Sequence, residues 1–170
     1  LEKTLEELIR DKGVRIFKAG GALGFDTCAA LTVIRLKQRH PDIRLVLVLP
    51  CEDQTRYWNA HDKAVYNEIL QRADEALYIA RRAYRGCMHT RNRRLVEQSA
   101  WCVCYLTQAR GGSRYTVNYA RKKGLNVINL AETPGREETA ISHAPAFSQT
   151  PAARPEPVGR PFFENAVSSK

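Results

Sequence analysis

Val14-Arg15-Ile16-Phe17-Lys18-Ala19-Gly20-Gly21-Ala22-Leu23-Gly24-Phe25-Asp26 runs from a short apolar stretch through a glycine-rich turn to the opening of a helix. Val14–Lys18 reads as a strand and Asp26–His40 as a helix, so the three glycines fall at a strand-to-helix turn. The same alternation continues on both sides. Upstream, Leu1, Leu5, Leu8 and Ile9 make one helical face. Downstream, Ile43–Leu49 is a β-branched and leucine-rich run ended by Pro50, the pattern of a parallel strand buried on both faces. A helix is expected over Asp62–Arg72, a strand over Glu75–Ala80, a helix over Met88–Ser99 and a strand over Trp101–Leu106. Tyr115–Lys123 and Leu125–Leu130 supply the last helix and strand. Strands alternating with helices predict βαβ units: an α/β, Rossmann-like three-layer domain on a mostly parallel sheet.

That domain is expected over residues 1–132. The chain opens on Leu1 rather than Met, and the expectation is a domain lacking its first strand. Six of the eight prolines lie after Ala131, among Ser, Thr, Ala and Glu. Residues 133–170 are therefore expected to be a disordered tail, unable to bury enough apolar surface to offset chain entropy.

The 170 residues are 44% hydrophobic, enough for a core, and no apolar run approaches the ~18 residues of a membrane helix. No signal-peptide pattern opens the chain. Five cysteines, at 28, 51, 87, 102 and 104, form no Cys-x-x-Cys, and the four histidines add no zinc-ligand spacing. Free thiols, no metal and a cytoplasmic location are expected. The net charge of +9 is uneven, because residues 131 onward hold four Lys/Arg and five Asp/Glu. The first 130 residues are thus basic and suited to a phosphate-bearing partner, whether nucleotide or nucleic acid. The oligomeric state stays open, a homo-oligomer included.

In such folds ligands bind beyond the carboxyl ends of the strands, and three strand ends carry distinctive residues. Gly20, Gly21 and Gly24 allow a tight turn and close approach of a ligand to the backbone. Asp26 is either a helix cap or a contact to a ligand hydroxyl. Glu52 and Gln54, followed by Tyr57 and Trp58, suit a ribose or base, with Trp58 either stacking on a ring or covering the core. Gly111, Gly112, Ser113 and Thr116 form a plausible phosphate cradle but lack the Gly-Lys-Ser/Thr of a P-loop. Arg91, beside Asn92, is placed to clamp a phosphate. Cys51 is read as an inert thiol, and Cys102 and Cys104 as core.

Four segments, GGALGFDTCAA (20–30), PCEDQTRYW (50–58), YRGCMHTRNRRLVEQS (84–99) and GGSRYTVNYARKKG (111–124), together resemble the YpsA-like branch of the SLOG superfamily. This is the Rossmannoid group that includes the LOG phosphoribohydrolases and the DNA-processing protein DprA. The resemblance implies a nucleotide or ADP-ribose-like ligand held by Gly20, Gly21, Gly24, Asp26, Glu52, Gln54, Arg91, Asn92, Gly111, Gly112, Ser113 and Thr116, in a bacterial sensing or stress-linked protein. Two alternatives stand beside simple binding. A LOG-like nucleosidase would use Glu52 and Arg91 as catalytic groups, since no carboxylate follows Gly111-Gly112 through Tyr119 where LOG enzymes carry a Glu. A single-strand nucleic-acid binder of the DprA kind would use the basic stretches Arg81–Arg94 and Arg110–Lys123.

Overall fold

The computed structural model describes residues 1–132 and the backbone strand 162–164. The elements run α1 (Glu2–Asp11), β1 (Ile16–Ala19), α2 (Phe25–Leu36), β2 (Arg44–Cys51), α3 (Ala60–Arg72) and β3 (Glu75–Ala80). They continue with α4 (Cys87–Val96), β4 (Trp101–Cys104), α5 (Gly112–Lys122), β5 (Asn126–Asn129) and β6 (Phe162–Glu164). Every helix and strand expected from periodicity is present over residues 1–132, with boundaries moved by a few residues. The strands form one sheet in the order β3-β2-β1-β6-β4-β5, and every pairing is parallel.

β2 shows how the sequence sets the layers. Seven of its eight residues are buried, and they alternate between two cores as a strand's period of two requires. Leu45, Leu47 and Leu49 pack with α1, α2 and α3, through Leu5, Ile9, Val33, Leu36 and Ile69. Val46 and Val48 pack on the opposite face with Leu95 and Val96 of α4 and Val117 and Ala120 of α5. The domain is therefore three layers: α1–α3, the sheet, and α4–α5. Cys102 and Cys104 share the second core, as expected of alternate residues on one strand. Asp74 ties the first layer to the sheet, accepting from the Leu45 amide at 2.7 Å and from Lys37 Nζ at 2.7 Å.

Strand order runs outward from β1 through β2 to β3, then returns across the other face by α4 to β4 and outward again to β5. The reversal places the topological switch between β1 and β4, the position where open parallel sheets hold ligands. That position is occupied by β6, which pairs with β1 at Lys18↔Phe162 and with β4 from Cys102↔Phe162 to Cys104↔Glu164. Within the stretch expected to be a disordered tail, Phe162–Glu164 thus forms a central strand. Residues 133–161 and 165–170 lie outside the described residues.

Candidate functional site

Because every strand is parallel, the turns after β1 and β4 leave the same edge of the sheet. Only β6 separates the two strands, so the turns stand two strand spacings apart, about 10 Å. The first turn is shaped by its glycines. Gly21 and Gly24 have φ of +69° and +85°, a region glycine enters without a Cβ penalty. Gly20 serves differently: a Cβ there would overlap Arg91 Nη1 and lie 2.7 Å from its Cζ and 2.8 Å from Asp26 Oδ2. The turn is braced by Gln54, whose Nε2 donates to the Gly21 carbonyl at 3.1 Å.

Asp26 is fully buried in the first turn of α2, yet the helix cap is Gly24, and no side chain among the described residues caps that terminus. Its Oδ2 instead accepts from the Ala22 amide at 3.0 Å and faces Arg91 Nη1 at 3.7 Å. α2 belongs to one face of the sheet and α4 to the other, so this pair reaches over the carboxyl edge at the switch point. Burial outweighs the Arg91 guanidinium and the amides of Ala22 and Gly20, and the Asp26 carboxyl titrates above the usual carboxylate range. Asn92 is buried beside Arg91 in α4, and its Oδ1 has no hydrogen-bond partner among the described residues.

The remaining expected residues divide into two groups. Gly111, at φ +115°, caps α5, and a Cβ on Gly112 would meet only open space. Ser113 and Thr116 are buried in the first turns of α5, where Thr116 Oγ1 donates to the Gly112 carbonyl at 3.0 Å. These stand on the same edge as Gly20, Gly21, Asp26 and Arg91. Glu52 is exposed just past β2. Its neighbour Asp53 accepts from the Ala83 amide at 3.1 Å and so ties the β2 and β3 turns together. Trp58 is half-buried and packs edge-on against Tyr66, ring centroids 5.6 Å apart, against the core under α3. Cys51 is buried; desolvation and the nearby Asp53 carboxylate push its thiol up to about 11, which suits an inert thiol.

Three helix starts gather at this edge, and they share a feature. α2, α4 and α5 begin on Gly24, Gly86 and Gly111, all with positive φ and none with a side-chain cap among the described residues. α3, by contrast, starts on Asn59, whose side chain accepts from the Asp62 amide at 2.8 Å. α4 and α5 carry no acidic residue in their first turns. The unpaired amides of a helix start attract anions. Gly86 was not singled out in the sequence, although its place before a helical pattern is the signal that marks it. Lys18 was also passed over: it is buried in β1, with Nζ donating at 2.7 Å to the Glu97 carbonyl at the end of α4.

The YpsA family model, described as the YspA SLOG family, matches residues 1–129. The chain belongs to the YpsA SLOG family. Its relatives include the SPbeta prophage-derived protein YoqJ of Bacillus subtilis, 31% identical over 134 residues, covering 72% of this chain and 78% of that protein. The UPF0398 protein of Halalkalibacterium halodurans is 33% identical over 129 residues, covering 72% of this chain and 68% of that protein. A UPF0398 protein of Bacillus velezensis is 25% identical, again over 129 residues. In this YpsA-family chain the four motif segments form the β1 turn, the β2 turn, α4 and α5. Among the described residues no His, Cys, Asp and Glu cluster could hold a metal, and no helix is long and apolar enough to cross a membrane.

Proposed function

We propose that the domain binds a phosphate-bearing, nucleotide-type ligand of the ADP-ribose kind at the switch-point edge of its sheet, as a sensing module in the bacterial cytoplasm. The phosphate lies against the starts of α2 and α5, near Gly21, Gly112 and Ser113. The sugar or base extends toward Gln54 and Glu52, where a carboxylate accepts from hydroxyls and would repel a phosphate. Supporting this reading above all is the absence, among the described residues, of side-chain caps on three glycine-initiated helices at one edge. Their first-turn amides have no side-chain acceptor at the cap position to compete with a ligand, and the Asp26–Arg91 pair stands between the α2 and α4 starts.

The test is thermal unfolding of the whole chain with AMP, ADP, ADP-ribose and NAD. Ligand at 100 times its Kd stabilises the folded state by about 2.7 kcal/mol, several degrees in Tm for a domain of this size. Gly112→Glu puts a carboxylate into the first turn of α5 at an exposed position where a side chain meets only open space, so it favours the helix but repels phosphate. It should keep the melting temperature of the free protein and remove the ligand shift. No shift with any of the four compounds refutes the proposal. Chromatography of the same mixtures reads turnover: free base released from AMP, and lost in Glu52→Ala, makes the domain a LOG-like hydrolase as well.

A further inference from the structure

The charge of this chain is divided by the sheet. Residues 1–75 carry twelve Lys/Arg and twelve Asp/Glu, whereas residues 76–131 carry eleven Lys/Arg and a single acid, Glu97. The first set builds the α1–α3 layer with β1 and β2, and the second the α4–α5 layer with the strands and turns around it. Of the eleven cations only Arg91 is buried, and Arg114 is half-buried. Among the described residues the only salt bridge made by an exposed member is Arg94–Glu97, at 3.3 Å. A solvated surface needs no such segregation, since mixed charges would keep it equally soluble.

Aromatic rings stand among these cations. A cleft of about 430 Å³ opens between the turn before α4 and the start of α5, lined by Tyr84, Arg85, His89, Thr90, Arg93 and Tyr115. Tyr115 is held in place by Arg93, whose Nε donates to its hydroxyl at 3.1 Å, and by His89, edge-on at 4.7 Å. Tyr119 lies parallel to it one turn on, at 6.4 Å. Tyr84, 48% exposed, reaches Thr90 Oγ1 through its own hydroxyl at 3.2 Å. Rings anchored at their hydroxyls present faces and edges to the cleft without losing further side-chain freedom when something stacks on them.

We propose that the α4–α5 face binds single-stranded nucleic acid, with one base entering the cleft beside Tyr84 and Tyr115 while Arg85, Arg93, Arg110 and Arg114 hold the flanking phosphates. A duplex fits less well, because its bases are stacked away from a cleft of this kind. An acidic protein or an anionic membrane would use the cations and leave the rings without a role.

The experiment is fluorescence anisotropy of the full chain with a labelled 15-nucleotide oligo(dT), from 50 to 200 mM NaCl, beside a duplex of equal length, heparin, and phosphatidylserine vesicles. The oligonucleotide should bind more tightly than the duplex, with affinity falling steeply as salt rises. Tyr84→Ala, on an exposed side chain, should weaken oligonucleotide binding about 5- to 100-fold at fixed salt, the loss of one base stack, and leave the salt slope unchanged. Arg93→Ala should lower that slope by about 0.7, one single-strand phosphate. Arg35→Ala, on the opposite layer, should change neither. The proposal is overturned by an absence of binding at 50 mM salt. Equal affinity for heparin with Tyr84→Ala silent, or binding to vesicles but not to oligonucleotide, overturns it equally.

Discussion

Gly20 and Arg91 should be energetically coupled, and a double-mutant cycle measures by how much. In Gly20→Ala the new methyl overlaps Arg91 Nη1 and falls within 2.8 Å of Asp26 Oδ2. The guanidinium cannot swing aside freely, because Arg91 is 6% exposed and engaged with Asp26. Overpacking of this kind costs about 1–3 kcal/mol. Arg91→Ala removes the cation from a buried carboxyl and should cost about 3–5 kcal/mol. If the two losses were independent, the double variant would fall about 4–8 kcal/mol below the parent. With the guanidinium gone, however, the methyl occupies the space it vacated. The φ of Gly20 is not among the positive ones, so alanine there also gains from a less flexible unfolded chain. The approach to buried Asp26 Oδ2 remains, so the double variant should fall below Arg91→Ala, but by at least about 1 kcal/mol less than Gly20→Ala falls below the parent. Urea unfolding of the four proteins, followed by fluorescence of Trp58 and Trp101, gives the cycle directly. Additive losses would show that the guanidinium does not lie against the Gly20 backbone.

The pH dependence of Asp26→Asn tests the same wall. A carboxyl whose folded pKa is raised binds protons more readily in the folded chain, so its contribution to stability is full below the ordinary carboxylate value and is lost as pH rises through the folded one. The parent should gain on Asp26→Asn as pH falls from 7 towards 4, by at most about 1.4 kcal/mol per pH unit; a gap that closes on acidification means the guanidinium dominates. Iodoacetamide at pH 8 should modify one thiol of the native chain, the exposed Cys28, and all five in denaturant, because Cys51, Cys87, Cys102 and Cys104 are buried and the Cys51 thiol is pushed up to about 11. Rapid native labelling of Cys51 would contradict its burial. Ending the chain at residue 161 removes β6 from the middle of the sheet and uncovers the facing edges of β1 and β4. It should cost about 2–4 kcal/mol in lost ladder bonds and promote self-association, whereas an unchanged melting curve would show that those edges do not depend on residues 162–164.

The fold was legible because each element carried its own period. Alternation in Leu45–Leu49 placed successive side chains in opposite cores, and the 3.6-residue spacing of Leu5, Leu8 and Ile9 oriented α1. Boundaries moved where a glycine start overrode the apolar pattern: α5 begins at Gly112 rather than Tyr115, because helical hydrogen bonding precedes the first large side chain. β6 could not be read. Three residues carry no period, and a strand in the middle of a sheet is specified by the two neighbours that await it. Those neighbours, β1 and β4, are remote in sequence.

The candidate site was legible as glycines and less so as charges. Gly20 and Gly111 stood out by position after a strand and before a helix, whereas Asp26 read more readily as an ordinary helix cap than as a ligand contact. What separates the readings is Arg91, sixty-five residues away on a helix of the other layer. No local pattern couples them, since the contact exists only because strand order reverses between β1 and β4. The same reversal explains the division of charge. A chain that lays its first helices on one face and its later ones on the other converts a change of composition along the sequence into a difference between two surfaces. The excess of cations after Glu75 therefore becomes a single basic face beside the proposed ligand edge, where it would raise the local concentration of any phosphate approaching Gly112. On this reasoning raising the salt concentration should slow ligand association more than dissociation, which stopped-flow mixing with ADP-ribose would measure; a salt effect confined to dissociation would place the cations outside the approach path.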